Sequence, residues 1–174
     1  MSKFISRLAC ASLMLWLITT STAQAEINVG VAAGPIDIDV PELDSDFGVN
    51  VNFTADWQFL DLKIIKLGVE GLASVSIVDG ELDNNDASFD AIGGFVTART
   101  GGRFYLVAKA GYQFIEIQSE AGNYEDDGLN SFSAGIGYTL FDVKNEILVT
   151  RFEIEDDNLD DDIEVTQLTY GIRF

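Results

Sequence analysis

Hydrophobic and polar positions alternate with a period of two along most of this chain. Residues 163–174, IEVTQLTYGIRF, place Phe174, Ile172, Tyr170, Leu168 and Thr166 on one side and Arg173, Gly171, Thr169, Gln167 and Val165 on the other. Successive side chains of a β-strand point to opposite faces, so this stretch is predicted as a strand with a greasy face and a mostly wet one.

Seven similar stretches precede it. Ile27, Val29, Val31 and Ala33 oppose Asn28, Gly30 and Ala32, and then comes a Pro- and Asp-bearing loop, GPIDIDVPELDSD. From Phe47 to Trp57 the odd positions are apolar, against Gly48, Asn50, Asn52, Thr54 and Asp56. A third strand sets Leu67, Val69, Ala73, Val75 and Ile77 against Lys66, Gly68, Glu70, Leu72, Ser74 and Ser76. The fourth, residues 88–98, is ambiguous, because Phe89, Ala91 and Phe95 compete with Ile92 and Val96 for the apolar face. The turn RTGGR reverses the chain, with Gly101 and Gly102 expected to supply positive φ angles.

The fifth strand opposes Phe104, Leu106, Ala108, Ala110, Tyr112 and Phe114 to Tyr105, Val107, Lys109, Gly111 and Gln113. The sixth opposes Phe132, Ala134, Ile136, Tyr138 and Leu140 to Ser131, Ser133, Gly135, Gly137 and Thr139. The seventh opposes Leu148, Thr150, Phe152 and Ile154 to Ile147, Val149, Arg151 and Glu153. An even number of weakly alternating strands, joined by short and long connections in turn, predicts an all-β fold: an eight-stranded antiparallel up-and-down transmembrane β-barrel. Closure removes the edges that lipid cannot satisfy. A helical fold is excluded by period, since no long segment holds apolar residues at spacings of three and four.

Residues 1–25 do not fit this pattern. Lys3 and Arg7 precede an apolar run over residues 8–18, and Ala23-Gln24-Ala25 is a small-x-small site. The run is shorter than the roughly 20 residues of a membrane-spanning helix, so it is predicted as a signal peptide cleaved after Ala25. Residues 26–174 are then the barrel domain, and Cys10 leaves with the leader.

Charge changes the picture further. Without Lys3 and Arg7, eight basic residues face 29 acidic ones, a net charge of −21 that argues against nucleic-acid binding. Yet 47% of residues are hydrophobic, too many for an acidic disordered chain. Most of the carboxylates fall in residues 37–46, 79–90, 116–127 and 153–164, none of which holds a Lys or Arg. Lys63, Arg99, Arg103, Lys144 and Arg173 lie at or near the opposite end of the predicted strands. Such sorting implies two differently charged barrel ends.

If the wet faces look inward, Asp56, Glu70, Lys109 and Arg151 enter a bore just wide enough for side chains to fill. Opposite charges removed from bulk water must pair, so a salt-bridged plug centred on Glu70, Lys109 and Arg151 is expected.

The terminal YGIRF, the hairpin TGGRFYLVAKAGYQF and the strand SFSAGIGYTL resemble the small outer-membrane β-barrels that include OmpA-type transmembrane domains and Opa- and OmpX-like surface proteins. The resemblance spans residues 26–174. It implies a bacterial outer-membrane location in contact with lipid and lipopolysaccharide. It also implies a terminal strand, here Leu168, Tyr170, Ile172 and Phe174, read by the barrel-insertion machinery, with short periplasmic turns and surface loops. No peptidoglycan-binding domain is read in residues 26–174, so the wall-anchoring role of full-length OmpA is not among the expectations.

Catalysis is not expected. Barrels of this size that modify lipid A rely on a histidine, and this chain has none. No cofactor is expected. Asp156, Asn158 and Asp160 repeat oxygen ligands at every second residue, but Asp161 stands where a calcium loop needs glycine and Gln167 where it needs a bidentate acid. They remain weak metal candidates; the charge density of the acidic loops reads first as solubility and repulsion at the cell surface, with diffuse divalent bridging to lipopolysaccharide phosphates as the alternative. The expected function is that of a non-catalytic barrel serving envelope integrity or surface interaction. The alternatives are a narrow porin-like channel, or a soluble lipid-binding barrel with its faces inverted.

Overall fold

Amphipathic strands can satisfy every main-chain group without water only if their sheet closes on itself, and this one does. A computed structural model describes residues 26–39, 48–62, 64–82, 85–119, 122–154 and 163–174. The described residues contain no helix and nine strands: β1 (Glu26–Asp39), β2 (Gly48–Asp61), β3 (Ile65–Val78), β4 (Gly80–Leu82), β5 (Asn85–Thr100), β6 (Phe104–Ser119), β7 (Gly122–Leu140), β8 (Val143–Ile154) and β9 (Ile163–Arg173). Antiparallel pairing runs from β3 through β2, β1, β9, β8, β7 and β6 to β5, and β3–β5 pairing completes the ring. β4 is a three-residue strand on β5 that leaves the wall eight-stranded.

The seam lies between β1 and β9, with Gly30 opposite Arg173. One step beyond it, Val29 and Phe174 exchange main-chain hydrogen bonds of 3.1 and 2.9 Å, so the terminal residue is tied into the wall.

Strand parity sorts the side chains. The inward set includes Asn50, Asn52, Asp56, Glu70, Ser74, Lys109, Ser131, Ser133, Gln167 and Thr169, all buried. Phe53, Leu106, Phe132, Ile136, Ile147, Val149 and Leu168 are exposed on the outer wall, and Ile172 is half-buried there. This apolar belt encircles the barrel, whereas a soluble monomer rarely exposes more than a few hundred Å² of contiguous apolar surface. At the end where β7 turns into β8, the belt is rimmed by Trp57, Phe59, Phe104, Tyr138, Tyr170 and Phe174. Trp57 contacts Phe59 at 5.7 Å and Phe104 contacts Tyr138 at 6.4 Å between ring centroids.

Three details differ from the sequence reading. In RTGGR only Gly102 adopts positive φ (115°), and Gly101 does not. Phe141 and Asp142, between β7 and β8, both lie in the left-handed region at 49° and 65°, the requirement of a two-residue hairpin turn. Much of three expected loops is strand: β1 runs on through residues 34–39, paired with β2 and β9, β5 and β6 pair as far as Ala87 and Ser119, and β6 and β7 as far as Ser119 and Gly122. A ladder already in register is extended residue by residue without needing an apolar face, so polar hairpins read as loops. The ambiguous fourth strand, β5, turns Phe89, Ala91 and Phe95 inward and Ile92 and Val96 outward.

Candidate functional site

The bore is stratified. Farthest from the short turns it is apolar, with Ile36, Phe89, Ile115, Phe152 and Val165 buried. Phe89 of β5 and Phe152 of β8, three strands apart around the ring, stack across it with centroids 5.8 Å apart. The middle is lined by neutral polar pairs. Asn50 Nδ2 donates to Ser74 Oγ (2.9 Å), Asn52 Nδ2 to Gln167 Oε1 (3.3 Å) and Gln113 Nε2 to Ser131 Oγ (2.7 Å), while the hydroxyls of Ser133 and Thr150 share a 2.9 Å hydrogen bond.

Toward the turn end lies a cluster of three carboxylates and three cations from six strands: Asp56 (β2), Glu70 (β3), Arg99 (β5), Lys109 (β6), Glu146 (β8) and Arg173 (β9). Arg99 reaches all three acids, donating from Nη1 to Asp56 at 3.0 Å, from Nη2 to Glu70 at 3.2 Å and from Nε to Glu146 at 2.9 Å. Arg173 Nη1 donates to Glu70 at 2.6 Å and to Glu146 at 3.1 Å, and Lys109 Nζ donates to Glu70 at 2.6 Å. Glu70, 1% exposed, accepts from all three cations.

Neutral groups complete the cluster. Thr97 and Gln58 donate to Asp56 at 3.3 and 3.2 Å, Asn28 at 3.4 Å, and Tyr105 Oη donates to Glu146 at 3.3 Å. Arg173 Nη2 stands 3.6 Å from Asp56 Oδ2, an ion pair longer than a hydrogen bond. A cavity of about 30 Å³ is lined by Glu70, Lys109, Gln113, Glu146 and Arg173 among others.

Parity explains why these side chains meet. Each is on the inward set of its strand, and the formal charges cancel. Separate burial of any one would cost several kcal/mol, whereas together each finds charged partners. Each of these three carboxylates is engaged by at least two cationic side chains.

Of the expected lumen residues, the structure brings Asp56, Glu70 and Lys109 together and leaves Arg151 out. Arg151 is on the outer wall with Ile147 and Val149, its side chain 58% exposed and paired with Glu164. The expected face of β8 is reversed because Glu146, Leu148, Thr150 and Phe152 are the buried set. Arg99, Glu146 and Arg173 were not in the expected cluster. For Arg173 the signal was present, in its parity with Gln167, Thr169 and Gly171. Arg99 has the parity of buried Thr97, but the competing apolar residues of β5 obscure it. Leu168, Tyr170 and Phe174 project outward. Asp156, Asn158 and Asp160 lie outside the described residues, as do residues 1–25.

These features define a class. The chain has the fold of the small eight-stranded outer-membrane β-barrels. Neisserial surface protein A aligns with a TM-score of 0.61 at 14% identity, over 86% of this chain and 97% of that one. OprG of Pseudomonas aeruginosa aligns at 0.49 with 13% identity over 86% and 95%, and Ail, the attachment invasion locus protein of Yersinia pestis, at 0.44 with 16% identity over 86% and 97%. No family model and no characterised sequence matches the chain.

Proposed function

We propose that this protein is a non-catalytic integral barrel of the bacterial outer membrane, exported through its cleaved leader, which serves envelope integrity or surface interaction through its acidic loops. The carrying observation is the pairing of an apolar outer belt with a bore filled by side chains. The belt needs acyl chains around it, and the bore is crossed by the ion-pair cluster and by the stacked Phe89 and Phe152. That filled bore favours the surface-barrel reading over a porin-like channel.

The partners follow from chemistry. Lipid and lipopolysaccharide would surround the belt. The insertion machinery would read the outward Leu168, Tyr170, Ile172 and Phe174. Divalent cations would bridge loop carboxylates to lipopolysaccharide phosphates. Membrane fractionation tests the location, with the protein expected in the outer-membrane fraction and migrating differently before and after boiling. A soluble protein whose mobility ignores heating would overturn the reading, and steady conductance of the wild-type barrel in planar bilayers would replace it with the channel. A calcium titration that shifts neither melting temperature nor loop mobility would remove the cation bridge.

A further inference from the structure

The outer wall is not smooth. A groove of about 330 Å³ crosses β6, β7, β8 and β9 beside the short turns, and two rows of outward residues line it together with Thr100, Tyr105 and Gly137. The row nearer the middle of the belt is hydrocarbon, with Leu106 opposite Ile136 and Ile136 opposite Ile147. The row nearer the turns is Phe104, Tyr138 and Asn145, again in register. Tyr170 opposes Ile147 and donates its hydroxyl to Asn145 Oδ1 at 2.8 Å.

Asn145 is the anomaly. It is a primary amide on the face that should touch hydrocarbon, and it is only 8% exposed. A side-chain amide has two N–H hydrogens, and among the described residues Asn145 Nδ2 has one acceptor, the Val143 carbonyl at 3.3 Å. Its second N–H has no acceptor among the described residues, and Asn145 lines a recess whose walls carry no Lys, Arg, Asp or Glu. An uncharged recess does not suit a phosphate. It does suit an acyl chain lying along Leu106, Ile136 and Ile147, with its ester carbonyl at the amide.

We propose that this groove holds one phospholipid by its ester-linked acyl chain, with Asn145 donating to the ester carbonyl and Phe104 and Tyr138 flanking the glycerol. The inference rests on the membrane reading above, which makes this wall lipid-facing. It differs from general solvation by lipid in being a single, saturable site. The recess is lined by Leu106, Ile136 and Ile147 on one side and by the Tyr138 and Tyr170 hydroxyls and the Asn145 amide on the other, the polarity gradient of an ester-linked chain.

Native mass spectrometry of the whole barrel, released from membranes in mild detergent, counts retained phospholipid. The wild type is expected to keep one lipid as detergent rises. Ile136→Trp and Leu106→Trp, which fill the groove from adjacent strands and point away from the bore, are each expected to lose it. Asn145→Leu is expected to lower its occupancy about tenfold, the scale of one hydrogen bond. Heat-shifted migration is checked for each variant, and either tryptophan variant alone suffices if the other misfolds. Equal occupancy in the wild type and a folded tryptophan variant, or a graded lipid series with no preferred single adduct, would overturn the groove. A protein that is not heat-modifiable and not in membranes would instead overturn the reading on which it rests.

Discussion

Arg173, one residue from the chain end, donates through a single nitrogen to Glu70 of β3 at 2.6 Å and to Glu146 of β8 at 3.1 Å. β9 is the strand that meets β1 to close the ring. Glu146 lies on β8, the hairpin partner of β9, whereas Glu70 and Asp56 lie beyond the β1–β9 seam, so closing the seam brings Arg173 to them and the cluster favours completion of the barrel. Arg173→Met is expected to destabilise the folded barrel by about 3–5 kcal/mol, the scale of breaking a buried pair, and to slow refolding into lipid. Urea midpoints and the rate of appearance of the heat-modifiable band measure both. Arg103→Met, at the exposed turn, should leave them unchanged.

Arg151 gives the contrasting case. It pairs with Glu164 on the outer wall, where its side chain is 58% exposed. An exposed ion pair contributes about 0–1 kcal/mol, so Arg151→Gln is expected to leave the urea midpoint within that range. A loss comparable to that of Arg173→Met would mean that Arg151 belongs to the bore cluster after all.

That contrast also shows how far alternation can be read from a sequence. In β2, β6, β7 and β9 the outer face is almost entirely hydrocarbon, because lipid-facing positions admit little else, and parity follows from any two residues. β8 has no such face. Leu148 and Phe152 on one side compete with Ile147 and Val149 on the other, and charge at Arg151 and Glu153 outweighs the single inward acid, Glu146. The bore accepts Leu148 beside Tyr105 and Val107, and Phe152 against Phe89, so an apolar side chain does not by itself mark an outward position. Closure and strand number were legible for a different reason, since they follow from period and connection length. The identity of the cluster depended on which strands lie side by side across the bore, and spacing along the chain does not encode that.

Tyr105 and Gly137 form a second closely fitted pair. They oppose each other on β6 and β7, and a Cβ added to Gly137 would lie 2.4 Å from two ring carbons of Tyr105. The ring lies over the bare backbone and carries its hydroxyl to Glu146. Gly137→Ala is expected to lower the urea midpoint by an amount corresponding to about 1–3 kcal/mol, the usual cost of overpacking. Tyr105→Ala should relieve the clash, so the double variant is expected to fall short of the sum of the two single losses. Strict additivity in that cycle would show that the ring does not rest on Gly137.

Two layers cross the bore, held by different physics at different depths. The cluster around Glu70 holds by charge, and the layer of Ile36, Phe89, Ile115, Phe152 and Val165 by packing. Two barriers in series would make conductance non-additive. Glu70→Gln removes the carboxylate that engages all three cations, yet the stacked rings still cross the bore, so this variant is expected to remain non-conducting. Phe89→Ala with Phe152→Ala removes the rings, each at a cost of about 3–5 kcal/mol, but leaves the ions paired, and is also expected to stay closed. Only the combination of all three substitutions should conduct in planar bilayers, with heat-shifted migration checked for each variant. Channels opened by Glu70→Gln alone would show that the apolar layer does not close the bore, while a closed triple variant would place a further barrier among the neutral polar pairs between the two layers.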